Sequence, residues 1–404
     1  MSSSPRKVVV VGAGPVGCLA AMAFAKQGWS VELYEGRLDL RLPSSKAEAQ
    51  QRSINLAISH RGIAAIESVD PAVTQRFMQT VIPMRGRMIH SLKGGLDSQL
   101  YDRDGQASSY SPPCSTRPPD ALVRQCINSI DRALLNEELL EEASASGNIR
   151  IFFKHKVIAA DFDQKVITMR NMDTKEDFSV DFDFCIGADG SYSVIRRQMM
   201  RVVRMDYQQE YIKHEYIELK MPAGQDADGK PTFLLDPNHL HIWPRHSFML
   251  IALPNKDKTF TCTLFAPSLD LDCLNSTEVI LEWFRTYFPD ALLMIGEKTL
   301  VNDFTHNPRS PLICTKANPY HYKDRVIILG DAAHSMVPFY GQGLNCGLED
   351  VRILMTLLLQ EGVKPTPPSE LKDSVDKGLA RALDRYSESR HEDLIAICDL
   401  AMDN

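Results

Sequence analysis

The segment from Val8 to Gly17, V-V-V-V-G-A-G-P-V-G, constrains the fold more than any other part of this 404-residue chain. A run of four valines is typical of a buried parallel strand. In the G-x-G-x-x-G spacing that follows, Gly12 permits a tight turn, Gly14 lets the backbone approach a pyrophosphate, and Gly17 lets a helix pack closely on the strand. Pro15 suits the first turn of that helix. The segment therefore predicts the strand, turn and helix of a dinucleotide-binding α/β fold.

A second predicted strand, Ser30 to Tyr34, ends directly before Glu35. In dinucleotide-binding folds, a carboxylate at this place accepts a hydrogen bond from a ribose hydroxyl. The same charge would repel a 2′-phosphate, so we do not expect this fold to hold NADP. The alternative is an ordinary α/β unit with a glycine turn, and the strand, helix and acid together favour the dinucleotide site.

A second glycine-and-acid segment, F-C-I-G-A-D-G-S-Y-S-V-I-R, runs from Phe184 to Arg196. Its apolar strand places Asp189 at the carboxyl edge of a sheet. Ser193 and Arg196 then begin a helix, where polar groups can meet cofactor phosphates. The alternative is a strand-turn-helix corner with an Asx turn, which Asp189 and Gly190 alone would favour.

A third such segment, R-V-I-I-L-G-D-A-A-H-S-M-V-P from Arg325 to Pro338, places Asp331 at the end of a buried strand. The next stretch, from Phe339 to Gly347, opens a helix whose leucines are core residues. The free amides and positive dipole end of its first turn would favour the anionic N1 and C2 carbonyl region of a reduced flavin. The three segments in this order predict FAD as the cofactor.

Composition describes an ordinary soluble globular protein with 44% hydrophobic and 24% charged residues. A net charge of −7 argues against nucleic acid as a partner. The nine cysteines are odd in number, scattered and without a C-x-x-C pair. We therefore expect reduced thiols, no disulfide framework and no metal site.

The fold class is predicted as α/β, with a Rossmann-like FAD-binding domain interleaved with a sheet-rich substrate domain and followed by a C-terminal helix. The FAD-binding domain takes residues 1–82, 104–200 and 323–361, and the substrate domain takes residues 83–103 and 201–322. Residues 362–404 form a linker and a helix of about 25 residues. Among the elements, we predict a helix from Arg132 to Ser146 capped by Asp131, and an antiparallel meander from Ile149 to Asp183. The substrate domain is predicted to contain strands at His214–Met221, His239–Trp243, Phe248–Leu253 and Thr259–Phe265, and a helix at Thr277–Tyr287.

The segment from Phe184 to Arg196 resembles the DG fingerprint of the flavoprotein aromatic hydroxylases. Within that superfamily, four segments resemble the kynurenine 3-monooxygenase family, and the resemblance runs through nearly all of the chain. They are R-S-I-N-L-A-I-S (Arg52–Ser59), P-M-R-G-R-M-I-H (Pro83–His90), H-L-H-I-W-P-R-H (His239–His246) and V-P-F-Y-G-Q-G-L-N (Val337–Asn345). The stretch Ser108–Pro119 resembles an insertion. The chain also stops where the family continues, so we expect a truncated form.

This resemblance implies a monooxygenase that depends on FAD and consumes NADPH and O2. Its substrate would be L-kynurenine, hydroxylated at ring C3 to 3-hydroxy-L-kynurenine through a C4a-hydroperoxyflavin. NADPH would bind transiently at the surface, because FAD occupies the dinucleotide fold. The flavin performs the chemistry and the substrate's amine activates its own ring, so no catalytic base is expected.

Site residues follow from the same resemblance, position by position. Arg87 and Tyr101 match the pair that holds the substrate carboxylate, a task that suits a planar guanidinium and a phenol. Asp331 matches the acceptor for a ribityl hydroxyl. The other expected substrate contacts are Pro338, Phe339 and Asn404. The full set expected to contact FAD is Gly12, Gly14, Val16, Gly17, Glu35, Arg37, Ala57, Arg132, Val157, Asp189, Asp331, Gln342, Gly343, Leu344 and Asn345.

Two alternatives stay open: another aromatic acid hydroxylase of the same fold, or a flavin-binding interaction module without turnover. The resemblance implies a cytosol-facing position on the mitochondrial outer membrane, through a C-terminal segment that we do not find in this sequence. We expect the chain itself to be soluble.

Overall fold

The computed structural model describes residues 4–43, 55–101, 126–366 and 375–403. A six-stranded sheet forms one half of the fold, in the order β20-β21-β12-β1-β2-β8, and all its pairings are parallel except that of β20 with β21. Its strands are β1 (Lys7–Val11), β2 (Ser30–Tyr34), β8 (Ile149–Phe152), β12 (Phe184–Gly187), β20 (His321–Tyr322) and β21 (Val326–Ile328). The valines of β1 are buried, as the strand of a parallel sheet covered on both faces requires.

A seven-stranded, largely antiparallel sheet forms the other half, in the order β19-β13-β18-β17-β16-β5-β6. Its strands are β5 (Gly86–His90), β6 (Leu96–Leu100), β13 (Asp206–Met221), β16 (His239–Arg245), β17 (Phe248–Pro254), β18 (Phe260–Pro267) and β19 (Ser310–Asn318). One face packs Trp243 and Phe260 against helices in a core of its own. The opposite face carries Met249 and Phe265, which pack toward Val337. The predicted sheet-rich lobe is confirmed, and β13 is eight residues longer at its start than the predicted strand.

Three smaller sheets complete the strands of the described ranges. They are β3 (Asn55–Ile58) and β4 (Ile82–Met84) on either side of β7 (Ile127–Asp131); β9 (His155–Asp161), β10 (Val166–Asn171) and β11 (Asp177–Asp181); and the pair β14 (Gly224–Gln225) and β15 (Pro231–Thr232). The predicted meander from Ile149 to Asp183 is correct for β9 to β11 and wrong for its first strand. The first strand, β8, pairs in parallel with β2, and Phe184 begins the central strand β12.

Twelve α-helices, numbered over the described ranges, surround these sheets. They are α1 (Pro15–Lys26), α2 (His60–Val69), α3 (Pro71–Met78), α4 (Arg132–Ala145), α5 (Val194–Met199), α6 (Ser268–Cys273), α7 (Thr277–Tyr287), α8 (Pro289–Ile295), α9 (Glu297–His306), α10 (Asp331–His334), α11 (Gly343–Gln360) and α12 (Lys377–Met402), with a 3-10 turn at Pro338–Tyr340. The Asp131 carboxylate caps α4 by accepting from the amides of Ala133 and Leu134 at 2.7 and 3.1 Å, as predicted. Six of the described helices were not predicted from the sequence: α2, α3, α6, α8, α9 and α10. Among the described helices, none combines the length and apolar character needed to cross a bilayer.

Candidate functional site

The carboxyl ends of three parallel strands bring the three glycine-and-acid segments together. Val11 of β1 pairs with Gly187 of β12, which pairs in turn with Ile328 of β21. The amide of Ala188 donates to the carbonyl of Val11 at 2.8 Å, and the amide of Leu329 donates to Gly187 at 2.9 Å. Ligands of open α/β sheets bind outside this edge. The site is therefore assembled from the start, the middle and the last quarter of the chain.

The three glycines of the first turn have different physical roles. Gly12 has a φ of +103°, and a Cβ there would lie 2.3 Å from the carbonyl oxygen of Ala188. A Cβ on Gly17 would lie 1.9 Å from the carbonyl oxygen of Gly12. Gly14, in contrast, faces open space, with nothing within 4 Å of an added Cβ, and no side chain caps the helix that begins beside it. Gly12 and Gly17 are thus needed for packing, whereas Gly14 leaves the amino end of α1 accessible to an anion.

Glu35 lies directly beside this turn. Its carboxylate accepts from the amide of Ala13 at 3.0 Å and from the amide and Nε of Arg37 at 2.9 and 3.0 Å. Burial alone would raise the pKa of Glu35, but the hydrogen bonds from Arg37 and Ala13 outweigh it and hold the pKa below its ordinary value. Glu35 is therefore a fixed anion at the end of β2, where a ribose would bind.

Asp189 and Arg196 both make their hydrogen bonds within the protein. The Asp189 carboxylate accepts from Ser193 Oγ at 2.5 Å and from the amide of Val194 at 2.6 Å, so it caps α5. The Arg196 guanidinium donates to the carbonyl oxygen of Ala332 at 2.6 Å, which joins the second segment to the third. The expected cofactor contacts of these two residues stay predictions.

Val16 connects the first segment to the third by packing. A Cβ on Gly330 would lie 3.2 Å from Val16 Cγ2, and one on Gly347 would lie 2.7 Å from the same atom. Asp331, one residue after Gly330, is exposed, and its carboxylate has no hydrogen bond to any described residue. It is therefore available as an acceptor for a ligand hydroxyl.

The amino end of α11 is held by one buried amide side chain. Asn345 is fully buried; its Oδ1 accepts from the amide of Ser59 at 2.8 Å, and its Nδ2 donates to the carbonyl oxygens of Ala57 and Gly341, both at 2.9 Å. Gln342 precedes the helix and makes no side-chain cap. Asn345 thus fixes the position of the helix start and leaves the amides of its first turn uncapped by side chains.

A buried ionic cluster lies behind this edge and connects it to the C-terminal helix. Asp350 is fully buried and accepts from the amide of Gly330 at 3.0 Å. Its Oδ2 lies 2.5 Å from His334 Nε2, and its Oδ1 accepts from Arg390 Nη2 at 2.8 Å. Burial alone would raise the pKa of Asp350, but His334 and Arg390 hold it below its ordinary value. Arg390 of α12 therefore supports the turn that presents Asp331.

Arg87 and Tyr101 are brought together at the far edge of the seven-stranded sheet. The Cζ of Arg87 lies 5.6 Å from the centroid of the Tyr101 ring. Tyr101 Oη is buried and makes no hydrogen bond of good geometry to a described residue, whereas Arg87 is exposed. Burial raises the pKa of Tyr101, and the positive charge of Arg87 only partly offsets this. A buried phenol without a partner beside a guanidinium is suited to bind a carboxylate.

A small apolar cluster lies on the same face of the sheet as Arg87. Met249, Ile251 and Phe265 lie on this face and belong to a cluster that includes Val337. The ring of Phe339 meets that of Phe265 edge-on at 5.4 Å between centroids. We call this cluster the sheet floor; it lies beside the 3-10 turn that begins at Pro338.

The remaining predicted contacts are dispersed. Val157 is buried in the core on β9, opposite Met169. Arg37 contacts Glu35, and Arg132 is an exposed residue at the first position of α4. Asn404 lies outside the described residues.

Sequence reasoning missed Glu218 and Thr263, which lie on the same face as the sheet floor. Glu218 is only 8% exposed, and Thr263 is fully buried with an unpartnered Oγ1. Burial raises the pKa of Glu218 to about 8, and the opposing effect of Arg132 is smaller. In sequence, Glu218 alternates with the apolar residues Ile217 and Leu219, which is typical of a solvated strand face. No local signal shows that this face is covered.

The site as a whole fits a bound FAD. The start of α1, with open space at Gly14, provides amide donors for phosphates, and the start of α11 provides amide donors for a flavin carbonyl. The free carboxylate of Asp331 provides an acceptor for a hydroxyl. Within the described ranges, no group of His, Cys, Asp and Glu has the arrangement of a metal site.

Comparison with known proteins agrees with this assignment. The family model described as "FAD binding domain" matches residues 6–391. The kynurenine 3-monooxygenase of Cryptococcus neoformans var. neoformans serotype D (strain B-3501A) is 44% identical over 417 residues, covering 100% of this chain and 78% of that protein. The enzyme of the same name from Candida albicans is 46% identical over 403 residues, covering 99% and 80%. That from Saccharomyces cerevisiae is 43% identical over 406 residues, covering 98% and 80%.

Solved structures share the fold at lower identity. A variant of 2-methyl-3-hydroxypyridine-5-carboxylic acid oxygenase superposes with a TM-score of 0.70 at 21% identity, over 99% of this chain and 90% of that one. HpxO of Klebsiella pneumoniae, complexed with FAD and uric acid, superposes with a TM-score of 0.67 at 18% identity, over 98% and 87%. The full-length matches near 45% identity carry the finer assignment: the chain belongs to the kynurenine 3-monooxygenase family of FAD-binding flavin monooxygenases.

Proposed function

We propose that this chain hydroxylates L-kynurenine at ring C3 to 3-hydroxy-L-kynurenine, consuming NADPH and O2. The observation that carries the proposal is the buried Oη of Tyr101, which has no well-formed hydrogen bond within the described ranges, beside the Arg87 guanidinium and on the same sheet as an apolar floor that includes Phe339. A substrate with a carboxylate at one end and an aromatic ring at the other matches that arrangement. The names of the relatives support L-kynurenine as the particular substrate.

In this proposal, Arg87 and Tyr101 bind the substrate carboxylate. The guanidinium supplies two parallel donors, and the phenol supplies one charge-assisted donor. Phe265 and Phe339 hold the aromatic ring, with Pro338 beside them and Asn404 as a further contact. Fixing both ends of the substrate converts a bimolecular encounter into a positioned reaction and excludes water from the reacting face.

FAD would be held by Glu35 at a ribose, by the amino end of α1 at the pyrophosphate, and by Asp331 at the ribityl chain. The amides of Gly343 and Leu344 would face the flavin N1 and C2 carbonyl, where they stabilise negative charge. Bound FAD, once reduced by NADPH, supplies the activation of O2. Arg37, Ala57, Arg132, Val157 and Asp189 complete the proposed cofactor contacts.

The protein's part in the reaction is binding and orientation, because the amino group of kynurenine already makes the neighbouring ring carbon electron-rich. We propose no catalytic base. NADPH would dock at the surface, since Glu35 places a carboxylate where a 2′-phosphate would have to bind in the dinucleotide fold. By family membership, we also propose a cytosol-facing location on the mitochondrial outer membrane.

Product analysis tests the activity. Purified protein with FAD, NADPH, O2 and kynurenine should yield 3-hydroxykynurenine, and NADPH oxidation should accelerate when kynurenine is added. A different hydroxylated acid as the preferred product would point to another aromatic hydroxylase. Bound FAD without turnover on any aromatic acid would point to an interaction module, and either result would refute the proposal.

The carboxylate pair has its own test. Arg87→Met should weaken kynurenine binding by about 2–5 kcal/mol, and Tyr101→Phe by about 1.5–3 kcal/mol, with FAD content unchanged. Arg85→Met tests the neighbouring arginine, whose carbonyl oxygen accepts from the amide of Tyr101 at 3.0 Å and which is the next candidate if Arg87→Met has no effect. Arg87→Lys should restore binding only in part, since an ammonium lacks the planar fork. Unchanged affinity in Arg87→Met would place the carboxylate elsewhere.

A further inference from the structure

Glu218 lies in the same transverse row as residues of the sheet floor. It pairs with Thr263 of β18, which pairs with Ile251 of β17. Residues directly opposite each other in a sheet project from the same face. Tyr216, two positions before Glu218, packs in the cluster that contains Phe265 and Phe339, whereas Ile217 packs in the core on the other face. The Glu218 side chain therefore projects to the side on which the ring of a substrate would lie.

Among the described residues, neither polar side chain of this pair has a hydrogen-bond partner. Thr263 Oγ1 is buried and makes no hydrogen bond. Glu218 has no ion pair or side-chain hydrogen bond among the described residues, and the nearest charges acting on it are those of Arg132 and Asp131. Buried polar groups without partners cost free energy unless a ligand or water satisfies them. The unpartnered hydroxyl of Thr263, beside the largely buried carboxyl of Glu218 on the adjacent strand, indicates a place for a polar ligand group.

We propose that Glu218, together with Thr263, binds the aryl amino group of the substrate and thereby sets which ring carbon is hydroxylated. The inference rests on the proposed function. Strands lie about 4.8 Å apart, so the backbone of Glu218 on β13 is about 19 Å from that of Arg87 on β5, four strands away. Both side chains project from the same face of the sheet, so a molecule with a carboxylate at one end and an aryl amine at the other would lie on that face between them.

The chemistry of the two groups matches an aryl amine. A neutral aryl amine offers two N–H donors, and the carboxyl carbonyl of Glu218 and the hydroxyl of Thr263 can accept them. Because burial raises the pKa of Glu218, the carboxyl is protonated at neutral pH, and the contact joins two neutral groups without burying a charge. An alkyl ammonium would instead require an ionised partner.

Binding the amine also fixes the orientation of the ring. Carboxylate contacts alone leave the ring free to rotate by half a turn about its bond to the ketone, which exchanges its two ortho edges. A hydrogen bond to the amine selects one of the two ring orientations. The ring carbon next to the amine then always takes the same position in the site. Glu218 would act as a specificity-determining residue, since the flavin performs the chemistry.

Ligand titration of the FAD-loaded protein tests the inference with four variants. Glu218→Leu should weaken kynurenine binding about tenfold or more, whereas Glu218→Gln, which keeps an acceptor and a donor, should stay within about threefold of the parent. Thr263→Val should cause a smaller loss. Glu210→Leu is the matched control, because Glu210 is an exposed residue of the same strand.

The decisive comparison uses the analogue of kynurenine that has hydrogen in place of the ring amine. Glu218→Leu should bind this analogue as well as the parent does, and it should give more than one hydroxylated product from kynurenine. The inference would be overturned if both ligands lost the same affinity, if kynurenine affinity did not change, or if the variant lost FAD. Loss of FAD would mean that Glu218 acts through Arg132 on cofactor binding. Failure of the parent to bind kynurenine at all would instead refute the proposed function.

Discussion

Replacing Arg390 by methionine should destabilise the fold far more than replacing another arginine of the same helix. Arg390 donates to Asp350 and lies 3.3 Å from Glu349, and all but 3% of its side chain is buried. Methionine keeps much of the apolar stem but removes the guanidinium donor from Asp350, which keeps its contacts with His334 and the amide of Gly330. Removing one partner of a buried ion pair leaves an uncompensated charge, which costs about 3–5 kcal/mol.

Arg385→Met is the control, on the same helix and with the same substitution. Arg385 donates to Glu361 at 2.8 Å, but its side chain is 46% exposed. An exposed pair of this kind contributes about 0–1 kcal/mol. The predicted difference between the two variants is therefore about 2–5 kcal/mol in the free energy of unfolding.

Urea denaturation at a fixed excess of FAD measures both variants, because a bound cofactor shifts apparent stability by mass action. Asp350 also holds Gly330, one residue before Asp331, so Arg390→Met should release FAD more readily as well. The double variant Asp350→Asn/Arg390→Met should recover part of the loss, since it removes the unpaired charge. Equal unfolding midpoints for Arg390→Met and Arg385→Met would refute this reasoning.

Two further predictions follow from the glycine turn and from Glu218. Gly17→Ala should unfold the first βα unit, because its Cβ would lie 1.9 Å from a carbonyl oxygen. Gly14→Ala should keep the stability of the apoprotein but weaken FAD binding. Thermal melts and FAD titrations that rank the two variants identically would contradict this prediction. The pKa of Glu218 is raised to about 8, so the folded state holds this proton more tightly than the unfolded chain and loses stability as pH rises. Relative to Glu218→Gln, the free energy of unfolding of the parent should fall by about 1.4 kcal/mol for each unit of rising pH between about pH 5 and 8. A difference between the two free energies that does not change with pH would show that the carboxyl is not desolvated.

The first βα unit was predictable because its determinants are local. Four buried valines, three glycines at fixed spacing and one acid after the next strand are all within 30 residues, and β1, α1 and β2 are found where the sequence places them. The cap at Asp131 was predictable for the same reason, since an N-cap acts only on the next three residues. Helix α12 followed from the spacing of its apolar residues.

Features that depend on pairing between distant segments were not predictable. Nothing in the four residues of β8 shows that they add to a parallel sheet beside β2, which lies more than a hundred residues earlier. Asp350 is a single acid in an amphipathic helix until Arg390 and His334 are placed around it. Arg87 and Tyr101 meet only because β5 and β6 pair, and an arginine on an alternating strand would otherwise be expected in solvent.

The order of strands in the parallel sheet has a consequence for synthesis of the protein. The edge that would bind FAD needs β1 together with β21 and α11, which follow it by more than three hundred residues. A ribosome-bound chain that ends before Asp331 carries the glycine turn but neither the proposed ribityl acceptor nor the helix proposed to face the flavin. Pairings between such distant segments form slowly, and their unpaired strand edges stay exposed in the meantime. The nascent chain should therefore depend on chaperones until α11 has emerged, and cofactor loading should follow that step.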